Sequence, residues 1–431
     1  MRIAAANWIR AVLVVAVLLG VEHSWAVASQ VGEHWVSSWA TAQQLTPIVN
    51  PSWAKPPPKV DPQQSPIRPI PERLQNQTVR MLIRTTIGGK RIRVQLSNAQ
   101  GYEIVAIGSV HVALHGHDSG IVDGSDRTAT FGGQARVKLQ PGAVIVSDPI
   151  DLSVAPLSTL AVSLYVPEEV AQLTVHPLGL HTTYLAPGDL TAARSLPGAR
   201  ECNSYFWLTG VEVSAPKGTQ AIAALGDSIT DGYATTPDAD HAWPTLLFER
   251  GMAGRLGDSR AVVNLGISGN RVLHDGSGTS ALARFDRDIL SRPGVHWIIF
   301  LEGINDISFP AIPGAPAEDH ISADDLIAGY RKLIEKAHLH GLEVMGATIL
   351  PWEGVWTYTP QGEAIRQKVN QWIRSGRAFD RTVDFDAATR DPAHPTRLKP
   401  EFDSGDHVHP NDAGNTAMAE AIDLSFFGKQ E

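Results

Sequence analysis

The chain has 431 residues, of which 43% are hydrophobic and 19% charged, and its formal net charge is −9 at pH 7. This is enough apolar material for two domains of ordinary size, and the lack of any basic run in the sequence argues against nucleic acid as a partner. The single cysteine, Cys202, excludes an internal disulfide, so the fold must depend on its own core.

The N-terminal residues predict a secretory signal. Arg2 and Arg10 precede an apolar stretch over residues 11–21, and Ala26 and Ala28 provide an A-x-A cleavage site. The apolar stretch is too short to span a bilayer, although an uncleaved anchor is the alternative interpretation. We therefore expect that residues 1–28 are removed and that the mature protein is secreted or periplasmic, with no stable membrane anchor.

Residues 29–215, the β half, predict an all-β domain because short β-runs alternate with turn residues. The predicted strands cover residues 78–86, 91–97, 105–114, 135–139, 144–147 and 160–166. Gly88 and Gly89 separate the first two strands and predict a hairpin. A proline-rich stretch over residues 51–71 predicts an extended surface loop. The pattern is typical of an antiparallel β-sandwich or jelly roll.

Residues 216–431, the α/β half, have a different sequence pattern, in which apolar β-runs alternate with amphipathic helical segments. The predicted strands cover residues 220–225, 261–265, 296–301, 343–350 and 382–385, and two predicted helices cover residues 323–340 and 361–374. Ser322 is suited to cap the first helix and Gly341 to end it. This alternation predicts a doubly wound, flavodoxin-like α/β domain with a parallel sheet.

Four short segments of the α/β half contain the residue types needed to cleave an ester. They are Gly-Asp-Ser-Ile-Thr at 226–230, Asn-Leu-Gly-Ile-Ser-Gly-Asn at 264–270, Gly-Ile-Asn-Asp at 303–306 and Asp-His-Val-His at 406–409. The first three follow successive predicted strands, so they should meet at the carboxyl edge of the sheet. A serine hydroxyl becomes a nucleophile when an imidazole, oriented by a carboxylate, takes its proton. The segments together predict a site for acyl transfer.

These segments resemble the four motifs of the SGNH hydrolases, the GDSL-type esterases and lipases, with isoleucine where the family name has leucine. The resemblance implies that Ser228 is the nucleophile and that Asp406 and His409 complete the triad. It also implies an oxyanion hole formed by the backbone N–H groups of Ser228 and Gly269 and the side-chain amide of Asn305. The β half is similar to the domain that precedes the catalytic domain in some secreted bacterial members.

Each motif also has a purely structural interpretation. Ser228 can cap a helix, and Asn305 can close a turn. Asp403, six residues before His409, is an alternative to Asp406 as the triad acid, although the family spacing favours Asp406. Because all four motifs occur together and in order, the sequence favours the catalytic interpretation.

Alternating histidines raise the possibility of a metal site. His407 and His409 form one set, and His111, His115 and His117 form another. No cysteine or carboxylate cluster completes either set at a recognisable ligand spacing. We therefore expect neither a metal nor another cofactor.

Three aromatic residues follow the fourth predicted strand of the α/β half. Trp352, Trp356 and Tyr358 are candidates for contact with a sugar face or an aromatic acyl group, and anchoring of their own loop is the alternative. No broad apolar lid is evident in the sequence, which favours short acyl groups such as acetate.

The sequence therefore predicts a secreted serine esterase that acts on small-molecule or polysaccharide esters. An O-acyltransferase and a carbohydrate-binding protein remain alternatives. The oligomeric state is left open.

Overall fold

The structure, a computed structural model, describes residues 32–45, 69–254, 256–375 and 377–428. The predicted signal (1–28) and most of the predicted proline-rich loop lie outside the described residues. Within the described ranges, no helix is long and apolar enough to cross a membrane. From His34 onward the chain forms one unit in which strands of the β half contact strands of the α/β half.

The β half consists of antiparallel sheets in the residues that the structure describes. Its strands are β1 Trp35–Ala40, β2 Gln44–Leu45, β3 Gln77–Arg84, β4 Ile92–Ser97, β5 Val105–Ile107, β6 Ser109–Leu114, β7 Arg127–Thr128, β8 Val137–Leu139, β9 Val144–Val146, β10 Thr159–Val166, β11 Thr174–His176, β12 Thr183–Pro187, β13 Arg200–Cys202, β14 Tyr205–Phe206 and β15 Leu208–Ser214. A six-stranded sheet has the order β13-β12-β3-β10-β6-β7, and a four-stranded sheet has the order β1-β15-β4-β9. Two smaller sheets have the orders β14-β11-β2 and β5-β8.

The hairpin predicted at Gly88 and Gly89 is wrong. Strand β3 pairs with β10 and β12, whereas β4 pairs with β15 and β9, so the chain passes from one sheet to another at these glycines. A Cβ atom on Gly88 would lie 2.4 Å from the carbonyl oxygen of Val154. The glycine therefore permits close packing against a neighbouring segment and does not form a tight turn. The predicted strand 105–114 is also divided, because Gly108 separates β5 from β6.

The α/β half contains a five-stranded parallel sheet of order β17-β16-β18-β19-β20, which confirms the predicted parallel α/β fold. The strands are β16 Gln220–Gly226, β17 Arg260–Gly266, β18 Val295–Leu301, β19 Glu343–Ala347 and β20 Arg381–Val383. The helices are α1 Ser228–Asp231, α2 Trp243–Ala253, α3 Ala281–Phe285, α4 Ile304–Ser308, α5 Ala323–Leu339, α6 Pro360–Ser375, α7 Phe385–Thr389 and α8 Asp412–Ala421, with a π-helical turn at Asp286–Leu290 and 3-10 turns at Phe309–Ala311, Ala317–Asp319 and Leu424–Phe427. This strand order is the flavodoxin-like order, which reverses between β16 and β18.

Helix α5 illustrates how local sequence sets an element. The Ser322 side chain accepts from the backbone N–H of Asp325, while the Asp325 carboxylate accepts from the backbone N–H of Ser322, which makes a capping box. Gly341 follows the helix with a φ of 70°, a conformation that favours glycine and ends the helix. The last predicted strand ends earlier than expected, because the Asp384 side chain caps α7 by accepting from the backbone N–H of Ala387.

The register of the parallel sheet places three loops at the same edge. Gly226, at the end of β16, pairs with Gly266 of β17 and with Leu301 of β18. The three chain segments that follow these strands therefore begin side by side. Since the strand order reverses here, this edge is the crevice where ligands bind in open α/β sheets.

Candidate active site

Ser228 is held by a very short helix that begins immediately after β16. Asp227 caps α1, and its carboxylate accepts from the backbone N–H of Ile229 at 3.0 Å. Gly232 ends the helix with a φ of 101°. Ser228 is only 6% exposed, so it is buried at the edge of the sheet and does not lie on an open surface.

His409 joins Ser228 to Asp406 through its two ring nitrogens. The Nε2 atom of His409 lies 2.8 Å from Ser228 Oγ, and the Nδ1 atom lies 2.6 Å from Asp406 Oδ2. A carboxylate can only accept, so the proton on the ring belongs to Nδ1 and Nε2 is free to accept from the serine hydroxyl. The structure therefore brings the three predicted triad residues into one hydrogen-bonded chain.

The loop before α8 holds Asp406 ionised. Burial would raise the pKa of Asp406, but the hydrogen bond and charge of His409 outweigh this and hold the pKa well below its ordinary value. The backbone N–H groups of Val408 and His409 also donate to Asp406 Oδ1, at 3.0 and 2.9 Å. The two ends of this loop are joined by a hydrogen bond from the backbone N–H of Asn411 to the carbonyl of Phe402. The carboxylate is thus both charged and fixed in orientation.

The alternative acid, Asp403, has a different partner. Its Oδ2 atom lies 2.7 Å from Nδ1 of His407, and its Oδ1 atom accepts from the backbone N–H groups of Gly405 and His407. The loop therefore contains two His–Asp pairs, and the pair that contacts Ser228 is the one formed by Asp406.

Gly269 and Asn305 lie on adjoining segments at the same edge of the sheet. Gly269 has a φ of 79°, and a Cβ atom there would lie 2.6 Å from Oγ of Ser277. The Asn305 side-chain amide donates to the carbonyl of Asn270 at 2.9 Å, which places it next to Gly269. An amide nitrogen carries two hydrogens, so Asn305 keeps one for a substrate oxygen. The geometry brings both predicted oxyanion-hole residues together.

Asp306 attaches the start of α4 to the loop after β17. Its carboxylate is buried and accepts from the backbone N–H groups of Val272 and Leu273, at 2.8 and 3.0 Å. Burial raises the pKa of Asp306 to about 6, although these backbone hydrogen bonds oppose the shift. The residue after Asn305 therefore fixes the loop that carries Gly269.

Arg284, a fully buried residue of α3, supports the floor of the site. It donates to the carbonyl of Gly226 at 2.9 Å, to the carbonyl of Leu265 at 2.7 Å and to Oδ1 of Asn270 at 2.8 Å. The guanidinium thus joins the carboxyl ends of β16 and β17. Sequence reasoning missed this residue, because an arginine in a short helix gives no local sign that it is buried.

The predicted aromatic residues have different environments. Trp352 is fully buried, and its indole N–H donates to Glu363, so the predicted substrate contact is corrected: its ring belongs to the core. Tyr358 packs on Trp352 with ring centroids 5.1 Å apart. Trp356 is 57% exposed. Sequence reasoning missed Tyr233, whose ring centroid lies 4.3 Å from that of His409.

The alternating histidines lie in separate environments. His111 pairs with Asp126 at 2.9 Å, and Nε2 of His115 lies 2.9 Å from the carbonyl oxygen of Asp118. Over the part of the chain that the structure describes, no three His, Cys, Asp or Glu residues are grouped in a way that suits a metal ion.

A Ser–His–carboxylate chain, which lies here at the carboxyl edge of a parallel sheet, is the arrangement of serine hydrolases that work by acyl transfer. Residues 224–417 match the model of the GDSL-like lipase/acylhydrolase family. The α/β half belongs to this family, which confirms the predicted SGNH resemblance, and it is a carboxylic ester hydrolase.

Several solved structures are similar to the chain over less than half of its length. A GDSL-like lipase from Bacteroides thetaiotaomicron is 17% identical, covers 48% of this chain and 88% of its own, and has a TM-score of 0.35. A carbohydrate acetylesterase family member from Sinorhizobium meliloti is 18% identical, with coverages of 48% and 96% and a TM-score of 0.36. A variant of an acetyl xylan esterase from Geobacillus stearothermophilus is 24% identical, with coverages of 47% and 92% and a TM-score of 0.36. No curated protein matches the chain.

Proposed function

We propose that this protein is a secreted serine esterase that hydrolyses short-chain, acetyl-type esters on carbohydrate through an acyl-enzyme. The observation that carries the proposal is the hydrogen-bonded chain from Asp406 through His409 to Ser228, with contacts of 2.6 and 2.8 Å. Such a chain activates a hydroxyl that is otherwise a weak nucleophile.

In the first step, Ser228 Oγ attacks the carbonyl carbon of the ester while its proton passes to Nε2 of His409. The tetrahedral intermediate carries a negative oxygen, which accepts hydrogen bonds from the backbone N–H groups of Ser228 and Gly269 and from the Asn305 amide. When the intermediate collapses, the C–O bond to the alcohol breaks and His409 returns the proton to the leaving oxygen. The acyl group is then bonded to Ser228.

In the second step, water takes the place of the alcohol. His409 accepts a proton from water, the resulting oxygen nucleophile attacks the acyl-enzyme, and collapse releases the carboxylic acid with the proton returned to Ser228 Oγ. Asp406 remains ionised throughout and stabilises the imidazolium that forms in each step. Its lowered pKa is suited to this role, because a protonated acid would not hold the ring in the required tautomer.

Abolition of turnover in a Ser228→Ala variant tests the mechanism. The assay is hydrolysis of p-nitrophenyl acetate, with Ser291→Ala, at an exposed serine, as the matched control. We expect the control to retain wild-type activity and Ser228→Ala to fall to background. A mass increase of one acetyl group on rapidly quenched wild-type enzyme, absent from the Ser228→Ala enzyme, identifies the acylated residue. Retained turnover in Ser228→Ala would place the nucleophile elsewhere.

The carbohydrate part of the proposal is supported by Trp356. Trp356 is exposed, and its loop borders the loop before α8 that carries Asp406 and His409, since a Cβ atom on Gly354 would lie 2.7 Å from Cγ of His407. A flat, exposed aromatic face beside an active site is a surface on which sugar rings stack. The Trp356→Ala variant should therefore raise the KM for acetylated xylo-oligosaccharides up to about tenfold, from a stacking energy of about 0.5–1.5 kcal/mol.

The KM for p-nitrophenyl acetate, which has no sugar, should change less than about twofold in Trp356→Ala, because no sugar stacking is lost. Tyr102→Ala, at a 77% exposed tyrosine of the β half, is the control for loss of an exposed ring. If KM for both substrates rises equally in Trp356→Ala, the residue supports its loop and does not bind sugar.

The proposal also covers the domain organisation and the location of the protein. Residues 1–28 act as a signal that is removed, residues 29–215 form an accessory β-sandwich or jelly-roll domain, and residues 216–431 form the hydrolase domain. The apolar stretch and A-x-A site support secretion or a periplasmic location. The mass of the protein recovered from the periplasm or medium tests this, because removal of the signal leaves Ser29 as the first residue.

A further inference from the structure

Polar side chains from the two halves of the molecule contact one another in several places. Arg84 of the β half lies 2.8 Å from Glu249 and 3.2 Å from Asp240 of the α/β half. Buried Arg292 of the α/β half donates to Gln95 and Thr209 of the β half, at 2.8 and 2.9 Å. One further contact lies closer to the chemistry, because it reaches the last residue of α1.

That contact joins His176 to Asp231. His176 ends β11 and is 3% exposed, and Asp231 ends α1 and is 5% exposed. The Nε2 atom of His176 lies 2.9 Å from Asp231 Oδ1. Its Nδ1 atom lies 2.7 Å from the carbonyl oxygen of Ala42, and Nε2 is also 3.1 Å from the carbonyl oxygen of Leu178. Both ring nitrogens therefore face only acceptors, so both donate and the ring is an imidazolium.

The positive charge of the His176 ring is compatible with its burial. Removal from water disfavours the imidazolium, but the Asp231 carboxylate and the carbonyl groups of Ala42 and Leu178 outweigh this and raise the pKa of His176. The ring of Tyr205 stacks over His176, with centroids 6.1 Å apart, while its own hydroxyl donates to the carbonyl of Gly179. A buried ion pair of this kind is costly to break, because loss of one partner leaves the other charge without compensation.

The other oxygen of Asp231 holds the segment that carries Gly269. Asp231 Oδ2 accepts from the backbone N–H of Ser268 at 3.0 Å and from its hydroxyl at 2.8 Å. Ser268 directly precedes Gly269, whose N–H is a proposed oxyanion donor. A single carboxylate thus connects the imidazolium of the β half with the backbone of the oxyanion hole.

The chain around His176 is itself fixed to the loop that follows α1. The backbone N–H of Asp238 donates to the carbonyl of Leu180, and the Asp238 carboxylate accepts from Thr182, with all three contacts between 2.7 and 2.8 Å. A Cβ atom on Gly232 would lie 2.8 Å from Cδ1 of Leu180. The segment of the β half that contains His176 therefore has little freedom to move relative to α1.

We propose that His176 is a positioning residue of the hydrolase site: through Asp231 it fixes the Ser268–Gly269 segment, so the β half is required for a working oxyanion hole. This inference rests on the proposed esterase function for its kinetic consequence. It gives the β half a role in catalysis without any contact between that half and the substrate.

Two amide substitutions at residue 176 separate this role from simple packing. In His176→Gln the amide nitrogen occupies roughly the position of Nε2 and still donates to Asp231, whereas in His176→Asn it occupies roughly the position of Nδ1 and donates only to Ala42. Both side chains are neutral, so they form a matched pair. A role confined to the stability of the β half would favour Asn, and the proposed role favours Gln.

With p-nitrophenyl acetate, we expect kcat of His176→Asn to fall on the order of 10–10²-fold, the scale of a small misplacement in an active site. KM should change less than about twofold, because the displaced group acts in the transition state. In His176→Gln, kcat should stay within about threefold of wild type, since the hydrogen bond to Asp231 is kept. Equal losses in the two variants, or a larger loss in Gln, would overturn the proposal.

Hydrogen exchange provides a readout that does not depend on ester turnover. Peptides that cover residues 264–270 should exchange faster in full-length His176→Asn than in wild type or in His176→Gln. Unchanged exchange in His176→Asn would overturn the positioning role even if the enzyme is active. Conversely, faster exchange with no ester hydrolysis by the wild type would retain the positioning role and remove the proposed function.

If His176→Asn does not fold, Asp231→Asn replaces it. Its amide group must turn a donor toward either His176 or Ser268, so one of the two contacts is lost while the side chain keeps its shape. The same loss of kcat and the same faster exchange are expected. Wild-type kcat and exchange in a folded Asp231→Asn variant would overturn the proposal.

Discussion

Two sets of carboxyl groups surround the nucleophile, and their pKa values shift in opposite directions. Asp406 lies in the loop before α8, where His409 and two backbone N–H groups outweigh the effect of burial and lower its pKa. Asp227, Glu302 and Asp306 lie beneath the sheet edge, where burial dominates. It raises the pKa of Asp227 to about 7, that of Asp306 to about 6 and that of Glu302 well above its ordinary value.

The difference shows how one residue type serves two purposes in one site. A carboxylate that faces an imidazole stays charged and can stabilise the positive ring during catalysis. A buried carboxyl group favours its neutral form when the charges and hydrogen bonds around it do not offset the loss of water, and Asp227 and Asp306 also accept hydrogen bonds from backbone N–H groups. Both side-chain oxygens of Glu302 are buried with no hydrogen-bond partner among the described residues, and the charge of Arg284, 3.8 Å away, opposes the rise of the Glu302 pKa without cancelling it.

The comparison is tested most strongly by removing the charge of Asp406. In Asp406→Asn the ring of His409 loses the acceptor that fixes its tautomer, so kcat should fall by about 10⁴. The measurement is kcat for p-nitrophenyl acetate at pH 8.

Asp403→Asn is the matched control, because it changes the other His–Asp pair of the same loop. We expect its kcat to stay within about tenfold of wild type, since His407 does not contact Ser228 and only loop packing is altered. If Asp403→Asn loses as much activity as Asp406→Asn, the two pairs act together and the assignment of a single triad acid is wrong.

The second largest effect is expected at Asn305, the neighbour of Asp306 in α4. Asn305→Ala removes the side-chain donor next to Gly269, and kcat should fall by about 10²–10³ with little change in KM. Ser308→Ala, in the same short helix, shows whether loosening of α4 accounts for the loss. A decrease of less than about threefold in Asn305→Ala would exclude it as an oxyanion donor.

The smallest effect is on the pH dependence of stability. Asp227 loses its proton near pH 3.8 in the unfolded chain and near pH 7 in the fold. Between these values the folded state binds more protons, so the free energy of unfolding decreases as pH rises. Asp227→Asn removes this titration but keeps a capping side chain. Its Tm should therefore fall a few degrees less than that of the wild type between pH 4 and pH 7.

Asp325→Asn is the control for this measurement, because the pKa of exposed Asp325 is lowered by hydrogen bonds from Ser322. Its titration lies below the window, so the change of Tm between pH 4 and pH 7 should match that of the wild type. If Asp227→Asn also matches the wild type, Asp227 is ionised in the folded protein and the contrast between the two sets of carboxyl groups does not hold.

Much of the α/β half could be predicted because its signals are local. Apolar runs indicated the five parallel strands, and the cap at Ser322 indicated where α5 begins. The β half was harder to predict, because strands that are consecutive in sequence join different sheets, as at Gly88 and Gly89. Pairing of antiparallel strands depends on packing of side chains across the whole half, and that information is not contained in any one segment.

The sequence by itself determined which residues can do chemistry and that a parallel sheet presents them: a serine after the first strand of the α/β half, an amide after the third, and a histidine with an acid near the end. Only the tertiary structure decided which acid contacts His409, that Trp352 is buried, and that His176 reaches Asp231 across the two halves. The physical reason is the distance along the sequence over which each kind of information acts. Residue type, periodicity and capping act within a few positions, whereas the Ser228–His409 contact joins residues 181 positions apart and exists only when every intervening element is packed.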